Sequence, residues 1–186
     1  MLYKIIYILT DKANQLTRWL RFCNYTFRGA KIGKGVAFSK MHFIWPHKVS
    51  IANKCIIEHN VYFKFDGMYS AGRAINIGER TFIGTGTEFN IKHGIIIGND
   101  CLIASGCRFV DHDHGTDVQQ LMRIQSCIGK DISIADDVWI GANAVILKGV
   151  VIEKGAIIAA GAVLNKSVPA NEIWGGIPAR KIGQRK

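Results

Sequence analysis

Proline is scarce, with 3 in 186 residues, and acidic residues number only 14 against 24 Lys and Arg. No long hydrophobic run is present, and no CxxC pair occurs among Cys23, Cys55, Cys101, Cys107 and Cys127. This composition excludes a Pro-rich linker, a collagen-like chain and a disordered acidic tail. Five thiols without a dense framework fit poorly with complete intrachain pairing and point to a reduced, cytoplasmic setting. Leu2–Leu9 is apolar except for Lys4, but Asp11, Lys12 and Asn14 interrupt it well before the ~20 residues of a spanning helix. A signal peptide is not expected, since neither a longer apolar centre nor a small-residue cleavage site follows Leu9. No recognition helix, zinc finger or RNA-binding motif accompanies the basic residues, which argues against a nucleic-acid partner.

The length suits one core, since single domains commonly take about 100–200 residues. Hydrophobic residues make up 48% and the formal charge is +10. By itself that charge is compatible with nucleic acid, an anionic membrane or a phosphorylated small molecule. Residues 1–30 form an N-terminal segment in which Leu2, Ile5, Ile6, Leu9, Leu16, Trp19 and Leu20 recur at roughly helical spacing, with Lys4, Lys12, Arg18 and Arg21 between them. This predicts an amphipathic helix with two readings. It packs its apolar stripe on the domain, or it lies through residues 1–28 on the inner face of a membrane.

From about residue 31 the chain repeats every six residues. Ile128, Ile134, Ile140, Ile146, Ile152, Ile158 and Leu164 keep that spacing without a break. Shorter blocks precede them: Ile97, Ile103 and Phe109; Ile77, Ile83 and Phe89; Ile51, Ile57 and Phe63; and Ile32 with Phe38. Four places after the large residue stands a small or moderate one, as at Cys55, Thr81, Thr87, Cys101, Cys107, Ala144, Ala156 and Ala162. Strand alternation turns both positions inward, so three large-small pairs per coil describe a narrow triangular prism. Gly, Asn and Asp suit its sharp corners, because they reach positive φ most cheaply. Cys55, Cys101 and Cys107 then read as core filling rather than catalytic thiols.

The outer faces of such a coil are flat, so chemistry belongs where the repeat breaks. One break is residues 64–74, with Asp66, Gly67, Tyr69, Ser70 and Arg73; the other is residues 110–126. The second carries Asp111-His112-Asp113-His114-Gly115, two imidazoles beside carboxylates, the side chains suited to general base work near neutral pH. If strand geometry persists, both imidazoles lie on one side. By phase His114 points outward like Trp139, which would set the two near one another on one face. Asp111, Asp113 or a backbone carbonyl would orient the imidazole. A solvated turn with paired charges and a metal site are the other readings of this cluster.

The pattern over residues 31–168 resembles the hexapeptide-repeat family, whose fold is a left-handed parallel β-helix, here all-β apart from the N-terminal helix and a short C-terminal cap at residues 169–186. The stretches I-G-N-D-C-L-I-A-S-G, D-H-D-H-G, D-D-V-W-I-G-A-N-A-V-I-L-K-G-V, G-A-V-L-N-K-S-V-P and G-G-I-P-A-R-K-I resemble the galactoside and maltose O-acetyltransferases and the surface-polysaccharide O-acetyltransferases. The resemblance implies transfer of acetyl from acetyl-CoA to a hydroxyl of a sugar or polysaccharide precursor, without an acyl-enzyme and without a metal. It implies a loop histidine as base: an ungapped count gives His114, with His112 as the rival. It places the family's tryptophan on Trp139 and its coenzyme contacts on Trp139, Ala142, Ala160, Asn165, Lys166 and Arg180. A homotrimer with sites between adjacent prisms is implied as well. A prism-type zinc carbonic anhydrase is the enzyme alternative, although among His59, His93, His112 and His114 no two stand five positions apart as such enzymes usually show. A non-catalytic solenoid binding glycan or membrane is the other.

Overall fold

The computed structural model describes residues 2–186, with side chains given for Tyr3 and from Asn14 onward. The chain folds as the expected left-handed parallel β-helix, a three-sided prism behind one N-terminal helix. The first face stacks Lys31–Ile32, Val49–Ile51, Ile75–Ile77, Ile95–Ile97, Ile132–Ile134 and Val151–Ile152. The second stacks Ala37–Phe38, Ile56–Ile57, Phe82–Ile83, Leu102–Ile103, Trp139–Ile140 and Ile157–Ile158, and is closed by Glu172–Gly176 with Ala179–Gln184. The third stacks Met41–Phe43, Val61–Phe65, Glu88–Ile91, Arg108–Val110, Val145–Leu147 and Val163–Leu164. Pairing between coils is parallel, and among the described residues only the last hairpin and one loop ladder run antiparallel.

Inside, the large residue of each hexad meets the small one. Ile83, Ile103, Ile140 and Ile158 are fully buried, as are Thr81, Cys101, Ala144 and Ala156. On the third face Phe43, Phe63, Phe89 and Phe109 form a column with ring centroids 5.2, 5.1 and 4.8 Å apart. Threonine hydroxyls and thiols at the small position donate to backbone carbonyls of the next coil, as Thr81 does to Gly98 at 3.0 Å and Cys107 to Gly141 at 3.3 Å. A polar group therefore enters the core without an unmet hydrogen bond.

Two kinds of glycine serve the corners. Positive φ falls three residues after the large residue, at Gly35, Lys54, Asn60, Arg80, Gly86, Asp100, Gly106, Asp137 and Asn143. The glycine directly after the large residue has another task. A Cβ on Gly78 would overlap the carbonyl of Gly98 in the next coil, so it is the close stacking of backbones that requires glycine there.

Two expectations change. Ile128 keeps the six-residue phase but is 63% exposed: Ile128–Gly129 pairs antiparallel with His112–Asp113, which reverses the chain outside the prism. The coil resumes at Ile132–Ile134. The N-terminal helix α1, Leu2–Phe27, forms as expected, but the described residues of its apolar stripe do not pack on the prism. Leu16, Trp19 and Leu20 are 57%, 60% and 52% exposed. The side chains of Leu2, Lys4, Ile5, Ile6, Leu9 and Lys12 lie outside the described residues. The last turn holds the helix instead. Tyr25 is buried against Phe38 and Phe43 and its hydroxyl donates to the Met41 carbonyl at 3.0 Å. Arg73 reinforces this joint by donating to the carbonyls of Gly29, His47 and Val49.

Burial pushes the thiols of Cys101 and Cys107 up to about 11 and raises that of Cys55. These groups stay protonated at pH 8, so a thiol reagent such as Ellman's should label Cys23 and Cys127 in the native protein and all five cysteines after denaturation. Phe89→Ala removes the middle of the ring column and should lower unfolding free energy in a urea titration by about 3–5 kcal/mol.

Candidate active site

The polar excursion leaves the third face at Asp111, directly after Arg108–Val110. Asp111 is fully buried, and its carboxylate accepts the backbone N–H groups of Lys92, His93 and Gly94 at 2.8, 2.7 and 2.9 Å. These donors belong to the corner after Glu88–Ile91, so one side chain fastens two successive coils at the point where the loop begins. The ring of His93 lies on Gly129, leaving no room for a side chain there.

His112 is 6% exposed, with Nδ1 at 2.9 Å from Asp111 Oδ1 and Nε2 at 3.3 Å from Asp66 Oδ2. A neutral imidazole that donates Nδ1–H to Asp111 keeps its lone pair on Nε2, the arrangement of a general base. Asp66, in the first excursion, is half-exposed, with Lys64 at 3.8 Å on its other side. That excursion is pinned to the neighbouring coil. Buried Lys48 donates to Ser70 Oγ at 2.7 Å and the Ala71 carbonyl at 3.0 Å, and Trp45 Nε1 donates to the Gly67 carbonyl at 2.9 Å.

The two imidazoles do not share a side. His114 is exposed, with Nδ1 3.9 Å from Cys127 Sγ, because the short strand His112–Asp113 ends before it and Gln125 grips the turn. Gln125 accepts from the Asp117 N–H and donates to the carbonyls of Asp117 and Gln120. Asp113 does not orient a histidine: it pairs with Lys148 at 2.6 Å. Nor does the phase argument set His114 beside Trp139. Trp139 stands on the second face, whereas both histidines leave the far edge of the third. Among the described residues no group of three or more His, Cys, Asp or Glu is arranged to hold a metal ion.

Trp139, Ala142 and Ala160 do come together. With Ala104, Gly141, Ala159 and Ile173 they line an apolar hollow of about 580 Å³ on the second face. The small side chains leave backbone N–H and C=O groups near the surface, where an amide-bearing chain can bond to them. Asn165, Lys166 and Arg180 are exposed and do not line this hollow. Arg180 lies on the closing hairpin and donates to the Ala179 carbonyl.

Sequence reasoning named Asp66 only as part of an excursion and left Asn90 without a role. Asn90 faces outward from the third face in register with Lys64 and Val110, and its Oδ1 is buried without a hydrogen-bond partner. An acceptor atom so placed calls for a donor.

The prism with hexad coils defines the class, and comparison with known proteins agrees. The family described as bacterial transferase hexapeptide (six repeats) matches residues 131–166, and the hexapeptide repeat of succinyl-transferase matches residues 74–107. Both matches place hexapeptide repeats within the coils of the prism. It is 41% identical over 129 residues to the polysialic acid O-acetyltransferase of Escherichia coli O1:K1 / APEC, a match covering 68% of this chain and 41% of that protein's length. Among solved structures, a hexapeptide-repeat acetyltransferase of Vibrio cholerae complexed with acetyl-coenzyme A is 26% identical with a TM-score of 0.66, covering 91% of this chain and 78% of the other. An N-acyltransferase from Bacillus cereus, in complex with dTDP and coenzyme A, is 24% identical with a TM-score of 0.72, covering 84% of each chain; it speaks to the fold.

Asp111→Leu should leave three backbone N–H groups of residues 92–94 without partners. It should lower stability by about 3 kcal/mol or more in denaturant titration and speed amide exchange first at that corner.

Proposed function

We propose that this chain is an acetyl-CoA-dependent O-acetyltransferase acting on a sugar or glycan hydroxyl. The observation that carries the reading is His112, whose Nδ1 is held by the buried carboxylate of Asp111 while Nε2 faces Asp66, a half-exposed carboxylate of the first excursion. The similarity to the Escherichia coli polysialic acid O-acetyltransferase and the Vibrio cholerae acetyltransferase supports it.

In this reading His112 rather than His114 is the base. The acceptor hydroxyl gives its proton to Nε2 as its oxygen attacks the thioester carbonyl of acetyl-CoA. The tetrahedral intermediate collapses, the C–S bond breaks, and the coenzyme thiolate leaves and recovers a proton from the imidazolium or water. Asp111 keeps the ring in the tautomer that accepts at Nε2 and stabilises the imidazolium. The partnerless Asn90 Oδ1 offers an acceptor for a further hydroxyl of the sugar. The Trp139–Ala142–Ala160 hollow receives the pantetheine arm, and Lys166 and Arg180 meet the coenzyme phosphates from outside it.

One prism holds the base and the hollow on different faces, so a site uniting them needs a neighbouring prism, and a closed homotrimer supplies one at every interface. The second face is built for contact. Ile56, Phe82, Leu102, Trp139, Ile157 and Ile173 stand in register as an outward apolar ladder. Sedimentation should give three times the 20.6 kDa chain mass, and Leu102→Glu should shift the protein toward monomer.

His112→Ala should lower kcat by about 10²–10⁴ with acetyl-CoA and a sugar acceptor, read as released thiol, whereas His114→Ala stays within about threefold of wild type. The reverse pattern would move the role to His114, and activity surviving the loss of both would remove the base assignment. Ala160→Trp fills the hollow and should raise KM for acetyl-CoA at least about tenfold with the trimer intact.

A further inference from the structure

The underside of α1 does not close onto the prism. Between it and the first two coils lies a polar cleft of about 490 Å³ whose lining includes Arg18, Arg21, Lys40 and His59 and no Asp or Glu. Among the described residues no ion pair reaches Arg18, Arg21 or Lys40. Gathering like charges in one concavity is unfavourable unless an anion enters, and a cleft admits a projecting anionic group that a flat surface does not.

Asn60 lines this cleft and also a second, open hollow of about 420 Å³ shared with His42, Phe43 and Tyr62. There the rings of His42 and Tyr62 meet edge to face at 6.4 Å. An exposed aromatic surface beside polar groups suits a pyranose, whose C–H face packs on rings while its hydroxyls find donors and acceptors. The parallel register carries the third face onward from Tyr62 to Glu88 and Arg108, and one step along the strands from Lys64 to Asn90 and Val110. Asp66 and His112 follow two residues beyond Lys64 and Val110 and meet each other at 3.3 Å. Four strands span only about 14 Å at the ordinary spacing of a sheet, a distance a short oligosaccharide covers.

We infer that the acceptor is an acidic glycan chain. Its carboxylate groups occupy the cleft formed by Arg18, Arg21, Lys40 and His59, its neighbouring sugars lie on His42 and Tyr62, and the chain continues along the third face toward His112. The destination of the chain rests on the acyltransferase reading; the binding does not.

The test is calorimetric titration, without acetyl-CoA, of the full chain with a sialic acid tetramer, with maltotetraose of equal length, and in parallel with vesicles containing phosphatidylglycerol. Wild type should bind the acidic tetramer at least about tenfold more tightly than the neutral one, with an affinity that falls as salt rises. Arg18→Gln, Arg21→Gln and Lys40→Gln together should remove that preference while thermal unfolding stays as in wild type, and Arg18→Lys with Arg21→Lys should restore most of it. Equal binding of the two tetramers, or a preference untouched by the triple substitution, overturns the inference. Vesicle binding lost in the triple variant without any glycan binding overturns it in favour of a membrane surface. A protein that binds the acidic tetramer but transfers no acetyl group keeps the groove and loses the transferase reading. One that acetylates maltotetraose as readily as the acidic tetramer does the opposite.

Discussion

Close stacking of successive coils, about 4.8 Å apart, is the constraint from which the other features follow. At that separation each corner must turn in one residue of left-handed backbone, and the residue after each large side chain frequently has no room for a Cβ, as at Gly78 beneath Gly98. The same separation makes identical side chains stack, so phenylalanines placed on one face become a single column of rings. Internal polar groups are tolerated because the next coil always presents a carbonyl at hydrogen-bond distance, which is how Thr81 and the buried thiols are satisfied.

A rigid scaffold of this kind gives fixed ends to the segments that leave it. Asp111 shows how: it closes one corner through three backbone bonds and in the same position holds an imidazole. Fastening and orientation are one act, so the position of His112 depends on the prism more than on the excursion that follows. The first excursion is held by other means, a buried ammonium on Ser70 and Ala71 and an indole on Gly67, and brings Asp66 to the same ring.

The solenoid was legible because its rule is local: a large residue, three steps to the turn, a small residue, repeated. Where the rule failed, the failure was also local. Ile128 obeys the period, but its neighbours pair antiparallel with the histidine strand, and spacing carries no sign of direction. The helix was readable from its stripe, yet the side that meets the prism is chosen by Tyr25 and its aromatic partners, and a stripe does not say what covers it. Asp66 and His112 lie 46 positions apart, and Asn90 meets Lys64 and Val110 only through register, so no sequence window contains them together. The DHDHG motif held both imidazoles in view; the depth that separates His112 from His114 comes from where the strand ends.

Each coil of the prism bonds only to the coils above and below it, and the parallel register passes unchanged from one to the next. Inserting or deleting a whole coil would therefore leave the pattern of coil-to-coil pairing intact while changing the axial offset between α1 at the N-terminal end and the excursion that bears His112. The architecture is a ruler graduated in strand spacings. In a protein built this way, the reach from a chain's grip to its point of modification is altered by duplication of a repeat, with no new side-chain chemistry required.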